Sequence, residues 1–147
     1  MTMNNKNLFK IVERISLQYS VKSHYHIAIC FMVDCLGLIK TDASDADRLG
    51  MQVARDFCLG IANNKDIKEA RIACWKHIDQ NGGSQNISDP KTCTTRAILC
   101  ALYEEPPSEE ISEIIEWFLQ MLLSVEKAHE EIYKRIIKYF PKTEINS

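Results

Sequence analysis

The chain is poor in residues that break helices. It has five glycines and four prolines in 147 residues, and no proline precedes Pro90. Alternating apolar and polar runs are missing, which excludes a strand-rich fold. Long apolar runs are missing too. The longest stretch near the N-terminus without Asp, Glu, Lys or Arg is Ser23–Val33, and it holds His24 and His26. A membrane-spanning helix needs about 20 apolar residues. The opening Met1-Thr2-Met3-Asn4-Asn5-Lys6 lacks the apolar core of a secretory signal. A cytoplasmic protein with no membrane partner is expected. Neither sign of charge dominates: 18 basic residues face 20 acidic ones, a net charge of −2. No basic field therefore argues for direct nucleic-acid binding.

Metal and catalytic motifs are also absent. Six cysteines are present, but no CxxC. They fall inside apolar helical patterns, where a free Cys behaves as a small hydrophobe, so they read as reduced core residues. There is no HExxH, no Cys/His zinc spacing, no GK[ST] phosphate loop and no GxSxG. His24 and His26 would point about 200° apart on a helix, since residues there advance 3.6 to the turn. They could share a metal only in an extended segment. Glu126 and His129 form one ExxH, but a helical di-iron site needs two copies and two further Glu. No catalytic group, cofactor or metal ion is expected.

What remains is helical periodicity. Leu8, Ile11, Val12, Ile15 and Tyr19 mark a first amphipathic helix over about Asn5–Tyr19, with Ser20–Ser23 as a link. Ile27–Ile39 is apolar on nearly all sides, the mark of a buried helix. Thr41-Asp42 offers an N-cap to a third helix reaching about Ile61, which Asn63-Asn64 ends. Asp66 opens a fourth, ended by Gly82-Gly83. A loop over Gly82–Ser88 follows. Asp89-Pro90 restarts the chain into a fifth helix reaching about Tyr103. Pro106-Pro107 breaks it, and Ser108 caps the next. Ile111, Ile115, Phe118, Leu122, Val125, His129, Ile132, Ile136 and Phe140 are spaced by four and three, a heptad seam. It predicts one long helix or a pair hinged near Ser124. The expected fold is all-α, a single domain over residues 1–147, with six or seven helices. Ala46, Gly50, Ala54 and Cys58, at steps of four, would let a neighbouring helix come close.

Charge order is the least ordinary feature. Between Ala97 and Glu126 there are seven acidic residues and no basic one. Glu109 and Glu110 suit the first turn of a helix, where the macrodipole favours anions. Glu113 and Glu116 lie further in, Glu109/Glu113 is a like-charge pair at four, and Glu104 and Glu105 trail the end of the preceding helix. Six carboxylates thus gather at one corner, several of them against local preference. They form either a plain solvated face or a surface complementary to a basic partner.

The run Glu69-Ala70-Arg71-Ile72-Ala73-Cys74-Trp75-Lys76-His77-Ile78-Asp79-Gln80-Asn81-Gly82, then Thr95-Arg96-Ala97-Ile98-Leu99-Cys100-Ala101-Leu102-Tyr103, then the Glu-rich helix from Ser108, resembles helical immunity proteins of bacterial polymorphic and contact-dependent toxin systems. The likeness spans about Asp66–Phe140. It implies a cytoplasmic, non-enzymatic antitoxin that binds and neutralises one cognate toxin domain, such as a basic nuclease. Partner-binding candidates are Glu104, Glu105, Glu109, Glu110, Glu113 and Glu116, with Asp89 beside them. Tyr103 and Trp117 are candidate anchors, since interface hot spots favour Trp, Tyr and Arg. Trp117 could equally be core, and Trp75 reads as core. Two alternatives stay open: a helical scaffold or homo-oligomer, and a small enzyme or ligand-binding bundle with a site near His24, His26 and Cys30.

Overall fold

A computed structural model describes residues 2–40, 43–82 and 89–144. Its elements are α1 (Asn5–Gln18), α2 (Val21–Leu36), α3 (Asp45–Cys58), α4 (Asn64–Gln80), α5 (Pro90–Leu99), α6 (Ile111–Val125), α7 (His129–Tyr139) and a short 3-10 turn at Pro141–Thr143. No strand occurs among the described residues. The protein is an all-α bundle, and one core draws on all seven helices.

Polar caps set the starts. The Asn4 side chain accepts the Asn7 N–H, and Ser20 does the same for Ser23. Ser20 therefore opens α2 six residues earlier than the apolar run predicts, and His24 and His26 sit on the helix rather than near a link. Ser44 with Asp47, and Asn63 with Asp66, form reciprocal capping boxes. Asn63 thus starts α4 instead of ending α3. The third helix stops at Cys58, short of Ile61, and Gly60 turns the chain at φ 77, outside any helix. Thr41-Asp42, proposed as the cap of α3, and Gly83–Ser88 of the proposed loop lie outside the described residues. Gly82, at φ 97, is the left-handed residue expected after α4. The fifth helix ends at Leu99, four residues before Tyr103, in two tight turns that close on Ile98 and Leu99 carbonyls.

The seam is buried at Ile111, Ile115, Phe118, Leu122, Ile132, Ile136 and Phe140. It is not one helix. The chain breaks between Val125 and His129, close to the hinge expected near Ser124, and Val125 and His129 are only half-buried. α2 runs through the middle, against α3, α6 and α7. Its Phe31 meets Phe118, Tyr139 and Phe140 edge to face, with ring centroids 6.4, 6.1 and 5.9 Å apart.

Two details hold the helices in register. Gly50 faces both α4 and α5. A Cβ there would stand 2.7 Å from Ile98 Cγ2 and 3.1 Å from Cys74 Sγ. Close approach, and no special backbone angle, requires this glycine. Gly50→Ala is expected to lose about 1–3 kcal/mol by overpacking, more than the helix propensity of Ala returns. Urea unfolding checks this, and an unchanged midpoint would show that Ile98 simply turns aside.

The second is Asp34 on α2. It accepts hydrogen bonds from Arg135 Nε (3.0 Å), Lys138 Nζ (3.1 Å) and Tyr139 Oη (2.9 Å), all from α7. Burial alone would raise its carboxyl, but the three donors outweigh that and hold it below its ordinary range. Unfolded Asp titrates near 3.9. The bridge is therefore in full force above about pH 4 and is lost as pH falls through the lower folded value. Asp34→Ala should cost about 1.5–3 kcal/mol at pH 7, the worth of hydrogen bonds to a charged group. The gap between variant and parent should narrow below about pH 4. A gap that stays constant with pH would assign the loss to packing.

Candidate functional site

The segment between α5 and α6 carries most of the acidic block, and α4 pins it. Arg71 donates to the Leu102 carbonyl at 2.8 Å and to Glu104 Oε1 at 2.8 Å. Its guanidinium also lies 5.4 Å from the centre of the Tyr103 ring. From α2, Tyr25 donates its hydroxyl to the Tyr103 carbonyl at 2.7 Å, and burial first, then nearby acidic groups, push that phenol up. Glu104 is thus tied into the molecule by a half-buried ion pair and is not a free carboxylate for a partner. Sequence order gave no sign that Arg71, 33 residues earlier, would reach it.

The remaining acids sort by position. Glu105, Glu109, Glu110 and Glu113 are exposed. Glu110, not Ser108, is the N-cap of α6. The Ser108 hydroxyl instead accepts the Glu110 N–H at 3.1 Å and donates to Glu113 Oε2 at 3.3 Å. Glu109 therefore precedes the helix and forms no helical pair with Glu113. Glu113 sits in the first turn, where the macrodipole stabilises it. The block opposes local preference less than spacing alone implies.

Glu116 is half-buried on the flank of α6 that meets α1. There Ser16 Oγ donates to Ser112 Oγ at 2.7 Å and accepts the Ser112 N–H at 3.0 Å. This pairing brings Glu13 of α1 to Glu116. Burial raises the Glu116 carboxyl, and the Glu13 and Glu113 charges raise it further. Glu13 thus extends the acidic surface onto a second helix, a residue that a linear search for acidic runs misses. Ionised Glu116 is less favourable in the folded chain than in the unfolded one, a penalty absent below about pH 4 and growing as pH rises through the ordinary carboxylate value. Glu116→Gln is expected to raise the melting temperature at pH 7 and leave it unchanged at pH 3. Equal melting temperatures at both pH values would contradict the placement.

Asp89 is not part of this surface. It precedes α5, whose ten residues separate it by about 15 Å from the Tyr103 end.

The aromatic candidates do come together, with an addition. Trp117 is 44% exposed and Trp75 39%, so neither is enclosed core. Both line one cleft of ≈ 300 Å³ with Leu99, Tyr103 and Met121, and Arg96 on its wall. A second cleft of ≈ 310 Å³ shares Cys100, Tyr103 and Trp117 and continues to Pro107 and Ile114. Trp75 takes an open position because α4 buries Ile67, Ala70, Cys74 and Ile78, and Trp75 falls beside that stripe.

The groups of the alternative site, His24, His26 and Cys30, lie along α2. Burial, the first cause in each case, pushes the Cys30, Cys74 and Cys100 thiols up to about 12, far from a reactive thiolate. His24 Nδ1 lies 3.0 Å from the Ser20 carbonyl, and its ring sits edge-on to Tyr19. His26 Nε2 lies 3.6 Å from Cys30 Sγ. Glu126 closes α6 and His129 opens α7, so the ExxH spacing does not share a helix face. Among the described residues no three His, Cys, Asp or Glu side chains are placed to hold one metal ion, and no helix is long and apolar enough to cross a membrane. No family model matches the chain, and no curated protein or solved structure does either.

Proposed function

We propose that the chain is a non-catalytic binding protein that captures a basic partner domain, acting as the cytoplasmic immunity protein of a toxin. One observation carries the reading: a half-exposed tryptophan, Trp117, lies one helical turn beyond Glu113 on a face flanked by Glu109, Glu110 and Glu116. An aromatic anchor with carboxylates along one side suits an interface with a central hot spot and a steering rim. The toxin role rests on the resemblance in Asp66–Phe140. A basic nuclease is the partner class that an acidic surface fits best.

The test is co-expression. A toxin domain encoded beside this chain should arrest growth alone, and growth should recover when the chain is present and co-purifies with it. Growth arrest unrelieved by a well-expressed chain would remove the immunity role.

A second reading, self-association, is favoured by Leu59 and Ile61. They are 72% and 70% exposed on either side of Gly60, between α3 and α4. Sedimentation equilibrium decides it: a single species at monomer mass would leave these residues as isolated surface apolars.

A further inference from the structure

The two clefts beside the acidic block adjoin at Cys100, Tyr103 and Trp117, which line both. Along α6 the groove runs from Ile114 to Met121, about 10 Å at 1.5 Å per residue, or two turns of a docked helix. Its lining is mostly apolar and aromatic, with Arg96 and Gln120 at one end. Charge is distributed unevenly along it. At the Pro107 end, Glu105, Glu109 and Glu113 are chain neighbours of the lining residues and exposed. At the Trp75 end the lining is Gln120, Met121 and Arg96.

We infer that this groove seats an amphipathic, lysine- or arginine-bearing helix of the partner, its apolar face on Trp75, Trp117 and Met121 and its basic end over Pro107. This rests on the basic-partner reading and says where and how the partner is held. The length suits apolar anchors at i, i+3 or i+4, and i+7, the pattern by which a helix lies in a groove. The acidic margin at the Pro107 end selects basic residues on the flank of that helix and so sets its direction. A neutral apolar peptide would fill the groove without meeting the carboxylates. An acidic one would be repelled at the Pro107 end.

The protein carries its own reporter. It has two tryptophans, and both line this groove, so intrinsic tryptophan emission reads the groove alone. The probe is a synthetic peptide of roughly 14 residues, Leu at helical spacings of three and four and Lys elsewhere. A peptide of the same composition without the periodicity, and one with Glu in place of Lys, are the controls. The amphipathic Lys peptide should shift emission to the blue saturably and protect it from acrylamide. Both controls should fail to do so at the same concentration. Trp117→Ala, which keeps Trp75 as reporter, should weaken binding by about tenfold or more. Trp75→Phe, with Trp117 as the reporter, should weaken it less. Circular dichroism confirms the fold of each, which two half-exposed positions should tolerate.

Several results would overturn the inference. Absence of any emission change at saturating peptide is one. If calorimetry shows the Lys peptide bound with emission unmoved, and charge reversal of the acids abolishes it, the acidic face binds but the groove is not the seat. The basic-partner reading then survives without this inference. If all apolar peptides bind equally and salt has no effect, the groove is an apolar site and the basic-partner reading fails with it. A blue shift that grows with protein concentration alone, with doubled mass in sedimentation, would make a second copy the occupant.

Discussion

Phe118→Ala is expected to lower stability by about 3–5 kcal/mol. Phe118 is fully buried on α6 and meets Phe31 of α2 with ring centroids 6.4 Å apart. Phe31 in turn packs on Tyr139 and Phe140, and Phe140 on Tyr19 at 5.2 Å. Deleting the Phe118 ring opens a cavity where α2, α6 and the end of α7 are joined, and close-packed interiors relax only in part around such a gap. Domains of this kind have total stabilities of about 5–15 kcal/mol, so the variant loses a large share. Urea unfolding measures it. A change within about 0.5 kcal/mol, the range of surface substitutions, would show that this face meets water.

Reversing Glu109, Glu113 and Glu116 to Lys should abolish partner binding and leave the fold intact. Glu109 stands on the segment before α6, Glu113 in its exposed first turn and Glu116 on its half-buried flank towards α1, away from the buried Ile111, Ile115 and Phe118. On the fold, the effects oppose each other. Glu113→Lys loses a favourable first-turn charge, worth about 0.3–1 kcal/mol, and its contact with Ser108. Glu116→Lys replaces repulsion from Glu13 by attraction. On the interface they add: three attractive charges become repulsive, at several kcal/mol for like charges brought together. Each 1.4 kcal/mol is tenfold, so affinity should fall by about a hundredfold or more. A variant that melts like the parent and binds as tightly would remove these acids from the interface.

Period and punctuation made the fold class readable. Apolar spacing, an all-round apolar run and polar caps placed the helices, and Asp89-Pro90 and Gly82 marked real boundaries, while the fifth helix ended at Leu99, well before Pro106. Boundaries shifted where a polar residue could serve two roles. Asn63 fits the end of one helix or the cap of the next, and only its bond with the Asp66 N–H decides. Ser108 fits an N-cap by sequence, but its hydroxyl serves Glu110 and Glu113 instead. The four-three seam continued in sequence across Glu126–Ala128, where the backbone does not. Spacing does not show whether a chain turns between two buried residues.

The site was legible in part. Acidic runs and aromatic residues are visible one-dimensionally, and Trp117 with Tyr103 does line a surface cleft. What joined them was not visible. Arg71 neutralises Glu104 from another helix, Glu13 joins Glu116 through a serine contact between α1 and α6, and Trp75 faces out from a helix whose other large apolar residues mostly face in. Asp89, close to the block in sequence, is held apart from it by the length of α5.

The most direct measurement is calorimetric titration of the unmodified chain with the partner proposed above, a basic toxin domain encoded beside it, at about 0.1 M and 1 M salt. Screening shortens from about 10 Å to 3 Å between these conditions. An acidic face that steers and holds a basic partner predicts one-to-one binding at low salt that weakens markedly at high salt. Binding of equal strength at both, or none at low salt, would contradict it.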